Sequence, residues 1–132
     1  MLRFTSCLFA TIVLNAHMQS TYRTVRMDGY HHLFLAVTVL SILFHSTHDP
    51  RVGILDRIFA HTAFLFVLWT DSKRAIAQGK PWLLLFPLAV MCLWLAQAVW
   101  PRRADALHAG LHLVTVMGVN SFIIGLMDDD SE

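Results

Sequence analysis

Five polar side chains combine residue types and spacings that suit chemistry: Ser41, His45, Asp56, His108 and His112. His108 and His112 stand four apart, so on a helix they project from one face and suit two ligands on one zinc ion. His45, delivered by another helix, could supply a third nitrogen. Three protein ligands plus a water make an open, catalytic kind of zinc site rather than a closed structural one. Zinc in such a site lowers the pKa of its bound water toward about 7 and polarises a carbonyl. Asp56 could then act as general base or hold the water in place. Ser41, one helical turn from His45, could hydrogen-bond a developing oxyanion or that water.

The elements that must position these residues are membrane helices. Of the 132 residues, 56% are hydrophobic and only 14% charged, where soluble domains carry about a quarter charged residues. A soluble core of this size could not bury so many Leu, Phe, Val and Trp side chains. The formal net charge of +1 gives no reason to expect a nucleic-acid partner. Five apolar runs follow in order, at 2–17, 30–46, 54–70, 82–100 and 104–127. Crossing the hydrocarbon takes about 20 helical residues, with about 17 as the lower limit. The fourth run meets this best: it spans about 27 Å with Trp82 and Trp100 at its two ends, as interfacial aromatic belts require. Pro87 inside it is expected to kink the helix. The expected fold is all-α, a single-domain polytopic transmembrane bundle of about five helices.

The first run has a second reading. Arg3 followed by an apolar stretch also resembles a targeting segment, although no small-x-small cleavage site follows it. The connections are short. Asp49-Pro50 breaks the helix between runs two and three and makes them a tight antiparallel hairpin. Residues 71–80, with Lys73, Arg74 and Gly79, read as a polar turn, and Pro101-Arg102-Arg103 separates runs four and five. Residues 128–132 form an acidic, solvated tail. Orientation is not legible, because the basic residues balance. One face receives Arg3, Arg51, Arg57, Arg102 and Arg103, and the other Arg23, Arg26, Lys73, Arg74 and Lys80. Cys7 and Cys92 have no ligand-like spacing. Cys92, inside an apolar run, reads as a packing residue, and no disulfide is expected.

Chain direction brings the polar five together. Run two ends at one face, run three starts there, run four returns there and run five starts from it. His45, Asp56 and His108 therefore lie about one turn inside the same face, with Ser41 and His112 about 5.4 Å deeper. Ionisable residues within membrane helices are expensive, which makes each a functional candidate. Each also has a plainer reading. His108 and His112 could be interhelical hydrogen-bond donors, Asp56 could pair with Arg57 or Arg51, and Ser41 could be a helix-contact serine. His31 and His32 are expected at the opposite face among headgroups, His48 in the loop, and His61 packed away from the site. Gly118, Ser121 and Gly125 form a small-residue packing stripe, and Asn120 and Gln97 are expected to cross-link helices. Run four carries no ionisable residue between Trp82 and Trp100. It is expected to pack outside the site, with runs two, three and five as mutual neighbours.

Taken in order, Ser41-x-x-x-His45, Asp56 and His108-x-x-x-His112 resemble the signature of the CREST superfamily. That superfamily contains alkaline ceramidases, progestin and adipoQ receptors, Per1-type GPI-remodelling proteins and myomaker-like proteins. The string SILFHSTHDPRVGILDRIF is similar to their second-to-third helix hairpin, and HAGLHLVTV to the start of their last helix. The resemblance covers roughly half of the chain. It implies a zinc ion held by His45, His108 and His112, with Asp56 and Ser41 completing the site. For members that are enzymes, it implies hydrolysis of an amide or ester bond in a membrane lipid. The chain departs from the family in helix number, because members typically have seven helices and only run four lies between Asp56 and the last helix here. Losing a pair preserves the direction of the last helix but removes walls of the lipid cavity. A homo-oligomer would replace them, or activity would be lost. Three functions follow: a zinc-dependent lipid hydrolase, a non-catalytic receptor or structural protein retaining zinc, and a haem-binding electron-transfer protein. The last explains neither Ser41 nor Asp56.

Overall fold

The computed structural model describes residues 2–22 and 30–125, and among these there is no strand. Helices α1 (Leu2–Cys7) and α2 (Phe9–Tyr22) realise the first run. They are separated by a break at Leu8, where the backbone makes i→i−3 bonds from Leu8 N to Thr5 O and from Thr11 N to Leu8 O. Helix α3 (Tyr30–Thr47) and helix α4 (Pro50–Ala77) follow, then α5 (Leu85–Val99) and α6 (Ala104–Gly125), each of the last two led in by a short 3-10 turn. Arg23, Arg26 and the acidic tail lie outside the described residues.

The hairpin between α3 and α4 forms as its sequence dictates. Asp49 caps α4, accepting a hydrogen bond from Arg51 N at 2.8 Å, and Pro50 occupies the first helical position, where its missing N–H costs nothing. His48 closes α3 in the left-handed region at φ 55°. Helix α4 runs past the expected end of its run. Asp71, Lys73 and Arg74 belong to its last turns, and the polar turn shrinks to Gln78–Lys80 around Gly79 at φ 68°. Length explains the difference: Lys73 lays its ammonium 3.5 Å from the centre of the Trp69 ring, so its charge stays at the helix surface while the backbone continues. Pro87 does not kink α5 midway. It lies in the first turn, where no intrahelical donor is lost.

Three helical spans are long and apolar enough to cross a membrane: α4, the stretch Pro81–Val99 and the stretch Pro101–Gly125. The side chains point the same way. Leu65, Trp69, Leu85, Trp94 and Val99 are each more than half exposed, a surface that hydrocarbon solvates and water does not. Cys92 lies on this outward surface rather than in the core, a correction to the sequence reading. Threonine hydroxyls return to their own helices: Thr38 Oγ1 donates to Phe34 O (2.7 Å), Thr62 Oγ1 to Ile58 O (2.8 Å) and Thr70 Oγ1 to Phe66 O (2.6 Å).

The helices pack around a ring in the order α4, α3, α1–α2, α6, α5. Runs two, three and five are therefore not mutual neighbours. The first run stands between α3 and α6, and α4 approaches α6 only slightly. Phe9, Ile12, Phe34, Val37, Val67, Val119 and Phe122 fill the interior. Amides cross-link α2 to α6, with Asn15 Nδ2 donating to Asn120 Oδ1 (2.9 Å) and Asn120 Nδ2 donating to Thr11 Oγ1 (3.1 Å). Gly118 lets α5 seat on α6, since a Cβ there would stand 2.6 Å from Phe86 Cβ.

Candidate metal centre

Helix α3 delivers His45 from its last turns, and α6 delivers His108 and His112 from its first. Because α3 ends and α6 begins at one end of the bundle, the three rings meet. Their centroids are 5.5 Å apart for His45–His108, 5.8 Å for His45–His112 and 4.6 Å for His108–His112. One nitrogen from each lies within 4.8 Å of the others, and His45 and His112 are buried. This group could hold a metal ion. The donor set fits one. With metal–nitrogen bonds of about 2.0–2.1 Å, tetrahedral ligands stand roughly 3.4 Å apart, a contraction that small side-chain rotations deliver. The rings meet edge-on at 61–71° and do not stack. Among the described residues no other His, Cys, Asp or Glu group has this spacing.

The neighbours of the histidines come from helices that carry no ligand. Thr5 Oγ1 lies 3.2 Å from His112 Nδ1, and Gln97 Oε1 lies 3.2 Å from His108 Nδ1. The Phe9 ring meets the His112 ring edge-on at 5.1 Å. Ser6 and Ser41, both fully buried, share a hydrogen bond of 2.9 Å between their hydroxyls. The first run is thus built into the surroundings of the histidines.

Ser41 and Asp56 line the same cavity as His108 and His112, a space of about 250 Å³. Asp56 is buried and stays outside the nitrogen cluster. Arg57, next to it in sequence, turns its Nε to Gly53 O at 3.1 Å. Away from the histidines the lining becomes apolar, through Val37 and Phe34 of α3, Phe64 and Val67 of α4, Phe86 and Val90 of α5, and Val119 and Phe122 of α6. From His108 to Phe122 the slot follows α6 for about 21 Å.

Two expectations need correction. Run four is not outside the site, because Gln97 and Trp94 of α5 line the cavity alongside Asp56. A neutral amide can serve a polar cavity as well as a charge can, and the absence of ionisable residues in α5 hid this. His61 also lines the cavity rather than packing elsewhere. It sits 6.3 Å from the Trp94 ring, with Nδ1 2.6 Å from Arg57 O. His48 is exposed in the connector. The sequence reading missed Thr5 and Ser6. Their signal was present, since the first run starts at the same face as His45, but two hydroxyls in an apolar run are common. No family model, curated protein or solved structure matches the chain.

Proposed function

We propose that this protein is a multi-pass membrane hydrolase that uses zinc to cleave an amide or ester bond in a lipid. The observation that carries the reading is the convergence of His45, His108 and His112, of which His108 and His112 line the polar end of an apolar cavity together with Ser41 and Asp56. The resemblance to the CREST signature supports it, since these five residues are the ones the signature contains. His45, His108 and His112 would hold the ion, which supplies a water of lowered pKa and a polarised carbonyl.

The chain's own residues account for the rest. The apolar slot binds one hydrocarbon chain and excludes water, which strengthens every polar interaction at its head. It brings the bond to be cut to the histidine end. Asp56, buried beside that end, takes up a proton as water attacks and returns it to the departing nitrogen or oxygen. Ser41 donates a hydrogen bond toward the carbonyl oxygen as negative charge grows there. A second reading is a non-catalytic membrane protein that retains zinc for stability. What favours it is the Ser6–Ser41 bond, the kind of contact a packing serine makes at a helix interface.

Zinc analysis of the purified protein, combined with a hydrolysis screen over lipid amides and esters in detergent and in bilayers, separates the readings. The hydrolase requires bound zinc and turnover of at least one lipid class, lost on chelation. Zinc with no turnover of any lipid leaves the stabilising role. Turnover that survives complete removal of the metal defeats both.

A further inference from the structure

We propose that Gln97 and Thr5, on two helices that carry no metal ligand, are positioning residues that fix the tautomers of His108 and His112 so that both present Nε2 to the ion. The inference rests on the metal reading above and extends it outward by one layer.

The argument begins with which atom can donate. A ligating histidine must offer a lone pair from one nitrogen, so the other carries the proton and needs an acceptor. Gln97 Oε1 can only accept. At 3.2 Å from His108 Nδ1 it assigns the proton to Nδ1 and leaves the Nε2 lone pair for the metal. The orientation of the amide is itself fixed, because Gln97 Nε2 donates to Leu93 O one turn earlier in α5, at 3.4 Å. Flipping the amide would lose that bond and set the Gln97 carbonyl oxygen against Leu93 O. A hydroxyl can act either way, and Thr5 Oγ1 lies 3.2 Å from His112 Nδ1 in a buried pair. With His112 ligating through Nε2, its Nδ1–H donates to Thr5. The Phe9 ring, edge-on to His112 at 5.1 Å, holds the plane of the imidazole.

The consequence for the fold is specific. Neither α1 nor α5 supplies a ligand, yet each supplies the acceptor that aims one of the two α6 ligands. The pair spaced i, i+4 on α6 is steered from both sides, by α1 on one and α5 on the other.

The test uses metal binding, not turnover. Cobalt(II) is titrated into the metal-free protein in detergent and followed by its visible absorption, and zinc affinity is then measured by competition. Gln97→Met and Thr5→Val keep the volume and remove the acceptor. Gln97→Glu and Thr5→Ser keep an acceptor. The expected result is metal affinity about 10–100-fold weaker in the Met and Val variants, with the Glu and Ser variants near the parent. The melting temperature of the metal-free protein should be unchanged throughout. Met and Val variants that bind like the parent overturn the proposal, as does equal weakening in the acceptor-keeping and acceptor-lacking members of both pairs, which marks a packing role. Should Gln97→Met fail to fold, the Thr5→Val and Thr5→Ser pair still decides. A parent that binds neither cobalt nor zinc overturns the metal reading itself, and this inference falls with it.

Discussion

The molecule holds two groups of three histidines, and they are built differently. His45, His108 and His112 converge with nitrogens within 4.8 Å. His17, His31 and His32 also lie near one another, with ring centroids 6.4 Å apart for His17–His31 and 5.1 Å for His31–His32, but they do not form a metal-holding group. The two groups are separated along α3 by about 20 Å. The first uses an i, i+4 pair on one helix and a third residue from another. The second uses an i, i+1 pair, whose side chains leave the helix about 100° apart and cannot aim at one point. The first group also has Gln97 and Thr5 behind two of its rings. Proximity of histidines is thus not enough. Spacing on the helix decides whether the group can serve an ion.

Five substitutions break or sharpen that contrast. The largest effect is expected from His112→Ala, which should reduce bound zinc to background by elemental analysis and lower the melting temperature of the zinc-loaded protein, because ligand loss removes binding energy from the folded state. His31→Ala should leave zinc content at the parent level. Equal loss from both would erase the distinction between the groups. Next is Asp56→Asn, which should keep the metal and lower lipid turnover by roughly 10²–10⁴. Loss of zinc in this variant would make Asp56 a ligand rather than a proton carrier.

A smaller effect is expected where α5 seats on α6. Gly118→Ala places a Cβ 2.6 Å from Phe86 Cβ, an atom fixed to the backbone, so the helices must separate at a cost of about 1–3 kcal/mol. A lower melting temperature with weaker metal binding would show that α5 helps hold the histidine end in place. An unchanged melting temperature would contradict the close seating. The smallest effect is expected at His48, which sits at φ 55° in the connector. His48→Gly should relieve a left-handed backbone and stabilise by about 1 kcal/mol, with zinc content untouched. Reduced zinc would place His48 in the site.

Much of the candidate site was legible because direction along a chain of antiparallel helices is a strong constraint. Once runs two to five are recognised, Ser41, His45, Asp56, His108 and His112 must share one end, whatever the packing. The helices themselves were legible from apolar length, and Asp49-Pro50 marked the hairpin. The end of α4 was not, because Asp71, Lys73 and Arg74 look like a turn until the helix that carries them is seen to continue.

By itself, then, the amino-acid sequence determined helix content, the order of helices and the end at which each polar residue lies. These follow from local periodicity and connection length. Only the tertiary structure decided which helices are neighbours. It placed the first run between α3 and α6, put Thr5 against His112 and Ser6 against Ser41, and turned Gln97 of α5 toward His108. The physical reason is that rotation of a helix about its own axis and its place in the ring depend on how whole faces fit together. Gly118 against Phe86 and the Asn15–Asn120 link help set that fit, and no pattern within a single run records it.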